Sequence, residues 1–198
     1  MSVLQTISLE HLPADYVVHI AVYREVKNSS SLQEQLLAGN TEFEYALIDA
    51  SVIISKIQAM SAAYRAVNDL VENRLRSRNV HSEIVFSLSP NNNIAETFRR
   101  FGITPTTTNL LVIKVSTPSQ PFSADAVQEH LTKSIDGTQA EFNDNVIAGM
   151  TDLARIRKIY KLNTVGSKPE KGVANAKAER RELEMLIISS MALRGATN

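Results

Sequence analysis

The chain has 198 residues, enough to bury a proper core within one domain. Its 21 Lys plus Arg balance 21 Asp plus Glu, so net charge selects no partner and any basic site must be local. The absence of Cys excludes disulfides, zinc–thiolate sites and a cysteine nucleophile, and fits a reducing compartment. No apolar run is long enough to span a bilayer, and the N-terminus lacks the basic-then-apolar order of a secretory signal. A soluble, intracellular chain with no membrane partner is expected.

In chain order, Val17 to Tyr23 (VVHIAVY) is a β-branched run that reads as the first strand. Ser29, Ser30 and Ser31 offer a cap for a helix over Leu32 to Ala38, which Gly39 ends. Tyr45 to Ile48 is either a short strand or an extended segment. From Ser55 to about Asn73 the pattern is helical: Ile57, Met60, Tyr64, Val67 and Val71 recur every three or four residues, with Leu70 flanking, and the stripe reads as core packing. In Ser82 to Leu88, Ile84, Phe86 and Leu88 alternate with Val85 and Ser87, which predicts a strand. Pro90 and Asn91, Asn92 and Asn93 break it. Asn93, or Asn92 before it, then caps a short helix. Glu96 stands at the capping-box position, Ile94, Phe98 and Phe101 form the apolar stripe, and Gly102 supplies a left-handed end.

Asn109 to Val115 (NLLVIKV) reads as the next strand, pairing beside Ser82 to Leu88. Ser123 caps a helix over Ala124 to Ser134 that Gly137 stops, and Gln139 to Phe142 suits an edge strand. Asp144 to Leu162 divides into two short helices. Residues 163–172 (NTVGSKPEKG) carry no periodicity and read as a flexible loop before a last helix from about Ala174 to Leu193. Strands and helices segregate unevenly, which favours the α+β class: one domain over residues 1–198, its helices covering a small, mainly antiparallel or mixed sheet, with the loop at about 163–173.

The residues offer little for catalysis. His11, His19, His81 and His130 are scattered, as surface or satisfied core histidines usually are, and no phosphate loop, nucleophile elbow or metalloprotease helix is present. Arg74, Arg76 and Arg78 would project to one side of an extended segment, forming a fork array suited to phosphates; a plain solvated loop is the competing reading. The Asn91–Asn93 turn combines side-chain amides with a helix N-terminus, a setting that favours anions, although Asn is equally a common turn and cap residue. In the last helix Leu183, Ile187 and Met191 form one stripe, with Leu186 and Leu193 to one side and Ile188 to the other. So broad an apolar surface is either wedged between sheet and helices or left partly open for a partner, which makes Leu183, Leu186, Ile187 and Met191 the candidate docking residues.

Four stretches carry a resemblance: VKNSSSLQEQL near the start, RLRSRNVHSE, SLSPNNNI followed by FRRFGI, and RIRKIYKL, with MALRG near the end. In this order, over about Val17 to Arg194, the chain resembles the small kinase-binding subunit of the KEOPS (EKC) complex, the PRPK-binding protein family, and its fungal members in particular. The resemblance implies a non-catalytic subunit without a cofactor, cytoplasmic and nuclear. Such a subunit docks on the N-lobe of the complex's small atypical kinase/ATPase, meets the other KEOPS subunits indirectly, and binds the single-stranded CCA end of tRNA. It thereby supports formation of threonylcarbamoyl-adenosine beside the anticodon. RNA binding is carried onto Arg74, Arg76, Arg78, Asn91, Asn92 and Asn93, since CCA recognition suits cations for phosphates beside amides for exposed base edges. The alternative is an enzyme acting on a nucleotide or RNA phosphate with the arginines as its clamp.

Overall fold

In the computed structural model of the chain, residues 3–162 and 173–195 are described. The loop expected at 163–173 lies outside them except for its last residue, which opens the final helix. Among the described residues, β1 (Gln5–Ser8), β2 (Val17–Arg24), β3 (Ala46–Asp49), β4 (Leu110–Ser116) and β5 (Thr138–Ala140) form one antiparallel sheet. Eight α-helices accompany it: α1 (Ser29–Leu37), α2 (Lys56–Val71), α3 (Val80–Ser87), α4 (Ile94–Phe101), α5 (Ala124–Ser134), α6 (Asp144–Met150), α7 (Leu153–Ile159) and α8 (Val173–Ala192). This is the α+β class that the chain pattern favours, with every strand pair antiparallel. None of the described helices is long and apolar enough to cross a membrane.

β2 and β4 are central, paired with Ile20 opposite Ile113. β3 lies on the far side of β4, while β1 and β5 share the other edge of β2, β5 meeting residues 22–24. Helices cover both faces, which is why the two central strands read as nearly continuous apolar runs rather than alternating ones. Val18, Ile20, Ile48, Leu111 and Ile113 face the larger core with α2, α3 and α8. Ala21, Tyr23, Leu47, Leu110 and Val112 face a second layer built with Leu32 of α1 and Val127 and Leu131 of α5.

One expectation is overturned and another in part. Residues 82–88 are not a strand: α3 runs through them, capped by Asn79, whose Oδ1 accepts from Ser82 N–H at 2.8 Å. α3 packs among α2, α4, β3 and β4 and is buried on nearly every side, Glu83, Ile84 and Phe86 included. A helix buried all round shows no 3.6-residue periodicity, and Ile84 and Leu88, spaced four apart, fit a helical face as well as an alternating one. β4 accordingly pairs with β2 and β3.

The stripe of α2 is corrected in part: Val67 is buried and Met60, Leu70 and Val71 pack against the core as expected, but Ile57 and Tyr64 turn outward. Besides Gln58, the buried positions of α2 are Ala59, Ala62, Ala63, Ala66 and Val67, small side chains that let neighbouring elements approach closely, whereas Ile57 is 57% exposed and Tyr64 38%. Smaller corrections follow from local geometry. Asn28 precedes α1 but makes no cap bond; its side chain spans to Ser134 O and Asp136 N–H instead. Gly39 does end α1 with φ +71°. Gly102 ends α4 with φ −70°, in extended backbone, and its missing Cβ is required by space: a Cβ there would stand 2.6 Å from Phe98 O. The expected edge strand is shorter and shifted, as β5.

Candidate nucleic-acid and partner surfaces

The Arg loop and the Asn turn are the two ends of α3. Eight residues of helix rise about 12 Å, where a strand of that length would cover about 26 Å. The helix therefore brings together two segments that a strand would separate. Glu83, fully buried, draws the loop back along α3: its Oε2 accepts from Arg76 N–H at 3.0 Å, Ser77 N–H at 2.7 Å and Ser77 Oγ–H at 2.6 Å. Folded this way, the exposed Arg76 donates from Nη1 to Asn92 Oδ1 at 3.2 Å. One cation and one amide of the two candidate segments thus share a surface.

The other two arginines have different neighbours. Arg74, well exposed, pairs with Asp69 at 3.3 Å. Arg78 runs beside Gly39, where an added Cβ would lie 3.7 Å from its Nη1. The expected parallel array of three guanidinium groups does not form, because residues 74–79 are a folded loop and not an extended run. In the turn, Asn93 caps α4 by accepting from Glu96 N–H at 3.0 Å. Glu96 does not reach back as a capping-box carboxylate. Asn91 takes that place, its Oδ1 accepting from Asn93 N–H at 3.0 Å while its Nδ2 donates to Glu96 at 3.4 Å. Asn92 alone of the three turns its amide outward with Arg76 as its partner.

Arg78 stands between two clefts. One, of about 290 Å³, is lined by Leu36, Gly39, Tyr45, Arg78, His81 and Phe98; the other is lined by Glu44, Asn73, Arg78, His81, Val115 and Gln120 among others. The scattered-histidine reading left His81 aside, yet it lines both. Its Nε2 accepts from Val115 N–H at 3.0 Å, which places the ring proton on Nδ1, and that Nδ1–H is buried without a partner among the described residues. Burial, with the nearby positive charge of Lys114, pulls its pKa down to about 3, so the ring stays neutral. Lys114 Nζ is held by Glu44 O at 2.7 Å and lies 4.2 Å from the Phe122 ring centroid; burial pulls its pKa down to about 8. Only a tertiary contact, from β4 to α3, distinguishes His81 from an ordinary core histidine.

The last helix resolves into two sets. Leu183, Ile187 and Met191 are buried in the larger core, whereas Leu186 and Ile188 are half-buried and Met185 and Leu193 more than half exposed. α8 lies along α2 in the same direction: Arg180 Nη2 donates to Ile54 O at the entry of α2, and Arg65 Nη1 donates to Met191 O at 2.6 Å further on. On α2 Ile57, Met60, Ser61 and Tyr64 line a shallow depression with Leu9 and Lys56. The candidate docking residues are thus not brought to one face. Leu186 faces partly outward, and on α2 Ile57 and Tyr64, which periodicity assigned to the core, are exposed as well. Among the described residues no group of three or more His, Asp or Glu could hold a metal ion.

A family model described as the kinase binding protein CGI-121 matches residues 23–195. Among relatives, the EKC/KEOPS complex subunit cgi121 of Aspergillus terreus is 49% identical over 197 residues, covering 99% of each chain. The subunit of the same name from Aspergillus fumigatus is 52% identical over 194 residues, covering 98% of each. That from Schizosaccharomyces pombe is 33% identical over 178 residues, covering 90% of this chain and 93% of its own.

Proposed function

Because the chain belongs to the CGI-121 kinase-binding protein family, we propose that it is a non-catalytic adaptor of the EKC/KEOPS complex. In this reading it holds the complex's small atypical kinase/ATPase on one surface and the CCA end of a tRNA on another, and so supports threonylcarbamoyl-adenosine formation. The observation that carries the RNA half is the Arg76–Asn92 contact. It pairs a phosphate-type cation with an outward amide on one exposed surface, with Arg78 and His81 lining the adjoining clefts. Single-stranded RNA is recognised by this combination of cations for the backbone and donors or acceptors for unstacked base edges. The kinase half is supported by exposed apolar side chains, Ile57 and Tyr64 on α2 and Met185 and Leu193 on and just past α8.

The test is direct binding. Arg76→Glu with Arg78→Glu should weaken tRNA binding and flatten its dependence on salt, since each lost phosphate contact removes about 0.7 from the slope of log K against log salt for a single strand. Removing the CCA end should weaken wild-type binding comparably, and co-purification with the kinase subunit should survive the arginine changes. Unaltered tRNA affinity in the folded double variant would take this surface out of the site.

A further inference from the structure

α3 ends without a left-handed glycine; Leu88 N–H and Ser89 N–H donate back to Val85 O at 3.2 Å and Phe86 O at 3.1 Å, and two further bonds to its last carbonyls come from elsewhere. Two buried side chains from distant segments supply them. Arg194, in the turn after α8, donates from Nη1 to Phe86 O and lies with its guanidinium 3.9 Å from the Phe86 ring centroid. Tyr160, just past α7, donates to Leu88 O at 2.5 Å and is itself held by Gln58 Nε2 at 3.0 Å. Immediately after these two pegs the chain enters the Asn turn, where Ser89 Oγ accepts from Asn91 N–H at 3.2 Å.

Packing does not account for a cation at position 194. Arg194 is 5% exposed, has no ion pair among the described residues, and leaves its Nε buried without an acceptor. Burial, with the positive charges of Arg65 and Arg76, pulls its pKa down to about 10 against the opposing pull of Glu83 and Asp69, and the guanidinium stays charged. An apolar side chain of similar volume would fill the space without that desolvation cost. What an apolar side chain lacks is the reach to Phe86 O at the negative end of the α3 dipole. Arg194 also joins other elements. Its carbonyl accepts from Arg65 Nη2 of α2 at 3.2 Å, and the Arg76 guanidinium that holds Asn92 passes the next residue, Gly195, where an added Cβ would lie 3.8 Å from Arg76 Nη2.

We propose that Arg194 is a positioning residue: by pegging the carboxyl end of α3 to the end of α8, it sets the Asn91–Asn93 turn within reach of Arg76. Its consequence for RNA rests on the tRNA-binding reading above, but the positioning itself does not. The experiment compares the full chain with Arg194→Met and Arg194→Lys, using amide hydrogen exchange, Tm and tRNA affinity. Arg194→Met removes a buried charge but also a positive charge that the buried Glu83 feels, so the two effects oppose and Tm should shift little. Exchange of the Asn91, Asn93 and Thr97 amides should nonetheless speed up on the order of tenfold as the turn loosens, and tRNA affinity should fall about fivefold or more. Arg194→Lys, which keeps a donor for Phe86 O, should recover part of both. Unchanged exchange across residues 89–97 in folded Arg194→Met overturns the proposal, and so does protection lost evenly over α2, α3 and α8 with a lowered Tm, which is the mark of a merely structural residue. Faster exchange in the turn together with a wild-type chain that binds no tRNA would uphold the positioning and sink the RNA reading instead.

Discussion

In the turn between α3 and α4, the Asn93 side chain caps α4, the Asn91 side chain accepts from Asn93 N–H and donates to Glu96, and the Asn92 side chain accepts from Arg76. Substitution should separate them. Asn93→Ala should cost roughly 1 kcal/mol as a lost N-cap, and Asn91→Ala a similar amount, since removing its amide strands more than one hydrogen bond. Asn92→Ala should leave the urea midpoint unchanged and weaken tRNA binding. Equal stability losses at all three positions with normal binding would make the turn purely structural. At the same scale, His81 predicts an acid response. Its folded pKa of about 3 lies below the 6.5 of the free side chain, so the unfolded chain takes up the proton first. Stability should be level above about pH 6.5 and fall on acidification toward pH 3, with a slope contributed by this group approaching about 1.4 kcal/mol per pH unit. Burial also lowers the pKa of His19 and His130, so part of the slope belongs to them. His81→Gln should therefore flatten the fall between pH 6.5 and 5 without abolishing it, as read from urea unfolding at a series of pH values.

Among elements, α2 and α8 each carry one apolar set turned inward and another turned out. Leu183 and Ile187 are fully buried, so Leu183→Glu or Ile187→Glu strands a charge in the core and should unfold or aggregate the chain. Ile57→Glu and Tyr64→Glu replace side chains that already meet solvent and should shift Tm little. If the kinase docks on this surface, they give a soluble, cooperatively melting chain that no longer co-purifies with it. Normal co-purification by both, and by Leu186→Glu, would move the docking surface off these two helices. The α2 stripe misled at Ile57 and Tyr64 because they are among its largest apolar side chains, while the face that packs is lined by alanines. Close approach of backbones selects small residues, and a hydrophobicity pattern gives them little weight.

Over the whole molecule, the features legible from the sequence are those set within a few residues. The long β-branched runs became β2 and β4, Asn93 and Ser123 cap the helices they precede, Gly39 takes the left-handed conformation, and the α+β class followed from the order of elements. Four stretches in the right order carried the family as well. Caps, breakers and apolar runs are visible because the groups that satisfy each other lie close along the chain. What only the tertiary structure decided is whatever depends on partners far apart in sequence. Residues 82–88 are helical because α2, α4, β3 and β4 surround them and hide any one-sided periodicity. Arg76 meets Asn92 because that helix is short and Glu83 folds the loop back along it. His81 lies half-satisfied between two clefts, and Arg194 lies buried on Phe86, through bonds that span 34 and 108 residues. Local sequence can mark a side chain as able to donate or accept; where its partner lies is settled only when the chain closes on itself.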